Sequence, residues 1–308
     1  MGKRLKNRYE VELLIIIILI GAIVRFTYTS AALFKEDFWL ILIALFNIFL
    51  FFLLTKRLFS PKLIALFLTF IFSILPWQIQ LSRSGKNQTL ALILTNIFFL
   101  AIYSVKKRPN FNKIFLALIL FLLPAIFLTS NKQEINNLPF PPNSQDIEKI
   151  ITYRGILTPI GPTFSRLYSN KATAVLKNIK INFFEAADIN NYFFAAHPLE
   201  RVGVRENEKF YSGLLPLFVI GLFYLKFSID GPIILWACFL LVLSSFLSNR
   251  YFGTNLLLIL PILLVIGRGL EKIMSIQGFQ KKIIIILPLF TWLIIEIIIF
   301  GLLGNIFS

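Results

Sequence analysis

The sequence predicts an all-α membrane protein of about nine transmembrane helices with one external loop or cap. Three observations lead there. About nine long, mostly apolar runs recur along the chain, each near the 17–25 residues that span hydrocarbon at ~1.5 Å per residue. Basic residues gather in every second short loop. A single long polar stretch, Lys132–Lys209, interrupts the apolar runs. A water-soluble alternative would have to hide nearly all of a 57% hydrophobic chain, mean hydropathy +0.79, in one core.

Taken in order, the spans read roughly as 11–29, 38–55, 62–80, 88–105 and 113–130, alternately outward and inward. After the polar stretch come 210–227, 231–248, 252–268 and 283–304. This divides the chain into a first membrane bundle (1–130), an extracytoplasmic loop or cap (131–209) and a second bundle (210–308). The first run has a second reading as a signal peptide, because Val11–Val24 follows a basic head and Thr29, Ser30 and Ala31 resemble a cleavage site. The later loops obey the charge rule with that span retained. Asn131–Pro142 reads as a linker, rich in Asn and Pro. Residues 144–151 and 171–186 have helical spacing of apolar residues suited to a membrane surface.

The net charge of +16 suggests nucleic acid until it is mapped. Lys132–Lys209 is nearly neutral, and the excess lies in short loops: Lys3, Arg4, Lys6 and Arg8; Lys56, Arg57 and Lys62; Lys106, Lys107, Arg108 and Lys113; Arg268, Lys272, Lys281 and Lys282. That is the positive-inside pattern, with about 16 basic residues inside and about four outside. It argues against nucleic acid as a partner. It sets the protein in the cytoplasmic membrane, N-terminus inside, long loop and C-terminus outside. Cys238 is the only cysteine, so no intrachain disulfide forms.

Two stretches are more specific than composition. One runs Ile74-Leu75-Pro76-Trp77-Gln78-Ile79-Gln80-Leu81-Ser82-Arg83; the other is Asn182–Leu217. Both resemble the polytopic bacterial glycosyltransferases of the GT-C fold, related to the protein mannosyltransferase and aminoarabinose transferase groups. The corresponding residues are Pro76, Trp77, Ser82 and Arg83, then Asn182, Phe193, Phe194, Arg201, Tyr211 and Pro216, with Arg25 at the end of the first span. The resemblance implies sugar transfer from a polyprenyl-phosphate donor at the external face. It implies donor or phosphate contacts from Arg83, Lys86 and Arg201, and substrate platforms at Trp77 and Tyr211. It also implies a catalytic acid in a long first external loop. Here that loop is only Thr29–Asp37, and its acids are Glu36 and Asp37. A base must come within about 2.6–3.2 Å of the proton it removes. Asp37 also reads as a helix N-cap or interface anchor.

The other readings stay open beside this one. Arg83 and Lys86 fit phosphate, and equally fit lipid headgroups. Trp77 also fits an aromatic belt. His197 is the only histidine, which excludes a His-based metal cluster. Glu185, Asp188, Glu200 and Glu206 are external acids able to hold a divalent metal or sugar hydroxyls, but no ligand spacing singles any out, and no cofactor is expected. Glu296 lies deep in the last apolar run, ~21 Å from Lys282, and Arg25 is about as far from Val11. An Arg25–Glu296 ion pair is one expectation; a protonated or snorkelling Glu296, or a proton-coupling site, are the others. The functional classes are accordingly three. The first is a shortened glycosyltransferase; the second is a non-catalytic relative that binds a lipid-linked glycan or scaffolds an active envelope partner. The third is a transporter, for which kinking prolines and one buried Glu are the only signals.

Overall fold

A computed structural model describes residues 2–27, 34–79, 86–105, 144–194, 209–246, 257–277 and 279–306. Every regular element among them is helical. The first four helices are α1 (Gly2–Thr27), α2 (Phe34–Leu58), α3 (Lys62–Ile74) and α4 (Lys86–Val105). The polar stretch supplies α5 (Ser144–Leu157), α6 (Pro162–Tyr168), α7 (Lys171–Ala187) and α8 (Asn190–Phe193). A 3-10 turn, Ser212–Leu214, then leads into α9 (Leu215–Phe223), α10 (Phe227–Phe246), α11 (Ile259–Ser275) and α12 (Phe279–Ile306). Among the described residues, two helices, Phe38–Leu58 and Phe227–Phe246, are long and apolar enough to cross a membrane. Lys62–Ile74, Thr89–Ser104, Ser212–Phe223 and Ile286–Ile299 are shorter apolar helices.

Where helices fall short of the expected runs, backbone chemistry explains the stop. α3 ends at Ile74, not near residue 80, because Pro76 forces the residue before it out of the helical region; Leu75 is extended at φ −61°, ψ 128°. A short helical turn at 76–79 follows. The run expected at 210–227 starts its α-helix only at Leu215, with Pro216 in the first turn, and ends at Phe223. Asp230 then accepts from Lys226 N at 2.9 Å, opening α10. In the polar stretch, α5 and α7 contain the helical segments expected from apolar spacing. Asn170 starts α7 through a reciprocal cap with Thr173.

The first three helices define two ends. Glu10 of α1 meets Lys56 and Lys62, where α2 ends and α3 begins. At the other end Arg25 of α1 donates to the Ser73 carbonyl at 2.8 Å. So α1 and α3 run alongside in the same direction, with a Lys62 end and a Ser73 end. The interior is aliphatic and aromatic, and its buried threonines satisfy themselves locally while two buried asparagines pair between helices. Thr55, Thr69 and Thr95 donate to carbonyls one turn back, and Asn96 donates to Asn47 Oδ1 at 2.7 Å. α11 is buried on every side from Ile259 to Leu270. It meets α9 where Gly221 and Gly269 bring the two backbones together.

Candidate functional site

The Ser73 end gathers the two specific stretches into one junction. Ile74 is the last residue of α3, and its carbonyl takes a hydrogen bond from Tyr211 Oη at 2.8 Å. Trp77, in the short turn beyond Pro76, lies 6.3 Å from the Tyr192 ring. Lys209 places its ammonium 4.9 Å from the Trp77 centroid and 5.4 Å from that of Tyr192, a cation–π bracket over both. Phe210 N donates to the Tyr192 carbonyl at 2.8 Å, and Phe193 packs on Phe210 and Phe218.

Local capping holds α8 in place beneath this bracket. Asn190 N donates to Asp188 Oδ1 at 2.9 Å, and Asn191 Nδ2 donates to the Glu185 carbonyl at 2.5 Å. Tyr192 Oη donates to the Ala186 carbonyl at 2.7 Å. Burial, and secondarily the Asp188 carboxylate, push the Tyr192 hydroxyl far above the ordinary phenol range, so it is a neutral donor. Asn182 ties α7 to α10 through the Ser245 carbonyl at 3.2 Å.

Among the described residues, three buried polar atoms in the stretches that meet here have no hydrogen-bond partner: Trp77 Nε1, Gln78 Oε1 and Asn191 Oδ1. Each such group costs about 1–3 kcal/mol when left unmade. Trp77 Nε1 is a donor, Gln78 Oε1 and Asn191 Oδ1 are acceptors, and the Lys209 ammonium lies against the Trp77 ring; groups of these kinds suit hydroxyl and phosphate. Gln78, Asn191, Tyr192 and Lys209 carry this chemistry, and none was singled out from sequence. Polar residues flanking Trp77 and a Lys before Phe210-Tyr211 were the available signals.

The other expected residues fall as follows. Trp77 and Tyr211 are each 2% exposed, so as seated they are packing elements and not open platforms. Glu36 and Asp37 lie in the first turn of α2 and Lys86 opens α4, with side chains outside the described residues. Arg83, Arg201, His197, Glu200 and Glu206, and the run expected at 113–130, also lie outside them. Among the described residues no group of three or more His, Cys, Asp or Glu comes together.

The Arg25–Glu296 pair is corrected by the structure. Arg25, fully buried, gives its Nη1 to the carbonyls of Gly21 and Ser73, both at 2.8 Å. Glu296 instead grips the turn before α9. Its Oε1 accepts from Ser212 N at 3.1 Å and from the Ser212 hydroxyl, and its Oε2 accepts from Gly213 N at 2.9 Å. Trp292 Nε1 donates to the same Ser212 hydroxyl at 3.0 Å. These N–H groups start a helical segment, where a carboxylate is favoured. Glu296→Ala should therefore cost about 1–3 kcal/mol by stranding two backbone donors. Combined with Arg25→Met, the losses should add to within about 0.5 kcal/mol, since among the described residues Arg25 meets Gly21 and Ser73 while Glu296 meets Ser212 and Gly213. Thermal unfolding of both singles and the double checks this; strong coupling would restore the pair.

No family model, curated protein or solved structure matches this chain.

The structure also holds an ionic cluster near the Lys62 end that sequence reasoning passed over. Arg268 and Asp230, 5% and 1% exposed, form a buried pair at 2.7 Å. In the charge pattern of the sequence Arg268 is one of the positive-inside loop residues, and Asp230 carries no expectation. The signal was available: opposite charges at adjoining ends of two apolar runs.

Proposed function

We propose that the chain is a compact, polytopic membrane protein of GT-C type that handles a polyprenyl-phosphate-linked sugar at the external face of the cytoplasmic membrane. The junction of Trp77, Gln78, Asn191 and Lys209 carries the reading. Trp77 and Lys209, more than a hundred positions apart, meet there, and Trp77 Nε1, Gln78 Oε1 and Asn191 Oδ1 are buried with no partner among the described residues. A lipid-linked sugar offers hydroxyls to the first three and a phosphate to the fourth.

Support for about nine spans comes from what the helices turn outward. Ile15, Ile16, Leu19 and Ile23 on α1, and Leu287, Ile294, Ile295 and Ile298 on α12, are each about half exposed or more. In water such faces would form apolar patches far beyond those of soluble monomers; in hydrocarbon they are at rest. With the positive-inside rule, the Lys62 end faces the cytoplasm and the Ser73 end faces outward.

One observation favours a non-catalytic binder as the second reading. Trp77 and Tyr211 are consumed in packing. A single experiment separates the two: binding of a short-chain polyprenyl-phosphate sugar to protein in nanodiscs, with sugar release followed in the same sample. Binding should be saturable and weaken at least tenfold in Gln78→Ala and Lys209→Met at unchanged helicity. Release marks a transferase and makes Glu36, Asp37 and Arg83 the next targets; binding without release marks the binder. No binding, with Lys209→Met indistinguishable from wild type, would leave neither.

A further inference from the structure

One helix of the polar stretch is turned inside out. Phe164, Leu167 and Tyr168, spaced i, i+3, i+4, share one side of α6. In a soluble domain that side would face the core. Instead the three are 49%, 69% and 65% exposed, and Ile160, just before the helix, is 70% exposed. The buried positions are serines, Ser165 within the helix and Ser169 at its end. A hairpin fixes this orientation. The 3-10 turn Thr158–Ile160 and Gly161, at a φ of 150° that favours glycine, bring the chain back along α5. Ser169 Oγ then donates to the Ile150 carbonyl at 3.0 Å, and Arg154 Nε donates to the Ser169 carbonyl at 2.7 Å. The Phe164 and Tyr168 rings stack with centroids 6.0 Å apart.

The charge carried with this surface is mostly of one sign. From Lys149 to Phe184 the chain has six basic residues, Lys149, Arg154, Arg166, Lys171, Lys177 and Lys180, and no Asp or Glu. Arg154 and Lys177 are engaged within the fold, by the Ser169 carbonyl and the Tyr153 ring. Lys149, Arg166, Lys171 and Lys180 are exposed and meet no acid among the described residues. The acids stand at the two ends. α6 packs on α5 and on the turn before it, and the acids of those elements are Asp146 and Glu148. Glu148 is exposed, two residues before the Ile150 that Ser169 reaches, with Lys149 between them. Glu185 and Asp188 close α7, ~21 Å or more along the helix from Lys171. With all four acids counted, residues 146–188 remain net positive.

We propose that the exposed side of the α5–α6 hairpin lies in an anionic lipid surface, with Ile160, Phe164, Leu167 and Tyr168 at the acyl boundary and the basic residues at the phosphates. An apolar side bearing Phe and Leu, backed by Lys and Arg, is the pattern that holds a helix in the plane of a membrane interface. Each basic residue near an anionic surface adds about 1 kcal/mol. The assignment rests on the membrane reading above, which already sets a bilayer beside both ends of the stretch. It is independent of the sugar chemistry.

The full chain in nanodiscs tests it, one set of mixed phosphatidylglycerol and phosphatidylcholine and one of phosphatidylcholine alone. A bimane label on Leu167→Cys, in a Cys238→Ala background, reports the surroundings of the hairpin. In the mixed discs its emission should shift to the blue, and doxyl-labelled lipid should quench it about threefold more than in phosphatidylcholine alone. Arg166→Gln with Lys171→Gln should remove that difference at an unchanged melting temperature. Read from a second label on Ile160→Cys, Phe164→Ser with Leu167→Ser should cut the quenching about threefold, again at an unchanged melting temperature because both side chains are exposed. Equal quenching in both lipids, or none in either, would overturn the anchor. A blue shift without lipid quenching would overturn it too, since an acidic protein partner or a second copy would then cover the surface. Protein that stays in water without detergent would overturn the membrane reading as well. A lipid-quenched label on protein that ignores polyprenyl-linked sugar would support the anchor and remove the sugar reading alone.

Discussion

Gly221→Ala and Gly269→Ala are each expected to cost about 3 kcal/mol or more, among the largest losses any single methyl can cause in this chain. A Cβ at Gly221 would lie 1.9 Å from the Val265 carbonyl oxygen and 2.8 Å from its carbon. One at Gly269 would lie 2.0 Å from the Leu217 oxygen and 3.1 Å from Gly221 N. In both cases the obstacle is backbone, so no rotamer change relieves it and α9 and α11 must part. Small residues that let helices touch are the main device for joining them in hydrocarbon, where apolar burial supplies no driving force. The helix-propensity gain from Gly to Ala is only ~0.5–1 kcal/mol and is overwhelmed. Gly155 is the control: nothing lies within 4 Å of its Cβ position, so Gly155→Ala should stabilise α5 slightly. Because the two interface glycines border one another, the double variant should lose less than the sum. Thermal unfolding in one detergent decides it. Melting temperatures equal to wild type for Gly221→Ala and Gly269→Ala would mean the helices do not meet this closely.

The helical class was legible because its signal is length and periodicity, which survive any arrangement of the helices. Boundaries were less so. The expected end near residue 80 missed the stop at Ile74, although Pro76 was in plain view, because apolar character continues through Trp77 and Ile79 while the backbone turns. The site divided along the same line. The stretches around Trp77 and Asn182–Leu217 stood out as sequence and do meet in space through Tyr211 and Ile74. Their burial did not show. An aromatic beside a membrane boundary reads alike whether it faces sugar, lipid or a tyrosine, and only packing distinguishes them. Glu296 shows the limit of depth arithmetic. Rise per residue set Arg25 and Glu296 at similar heights, but height says nothing of azimuth, and the nearer donors of Ser212 and Gly213 took the carboxylate.

Asp230→Asn is expected to cost about 3–5 kcal/mol, the usual loss when one member of a buried ion pair is removed. Asp230 Oδ1 accepts from Arg268 Nη2 at 2.7 Å and Nε at 3.0 Å, and Oδ2 accepts from Nε at 3.1 Å. Oδ2 also holds Lys226 N at the start of α10. The asparagine keeps an oxygen for that cap, so the variant removes charge and leaves the turn. Arg268 would keep Glu271 at 2.6 Å and the Phe59 ring at 4.8 Å, yet lose the partner buried with it. Lysine at 268 should not substitute, because a point charge lacks the fork that engages Asp230 through two nitrogens. Replacing both, Asp230→Leu with Arg268→Met, should cost well under the sum of the singles, since desolvation of the pair offsets much of its attraction. Unfolding of the singles and the double forms the cycle. A loss under 1 kcal/mol for Asp230→Asn, or simple additivity, would reduce the pair to ordinary packing. A large coupling would make it the clamp joining α10 and α11 near the Lys62 end. In the proposed topology that clamp faces the cytoplasm while Glu296 secures the outer turn that directly follows Tyr211.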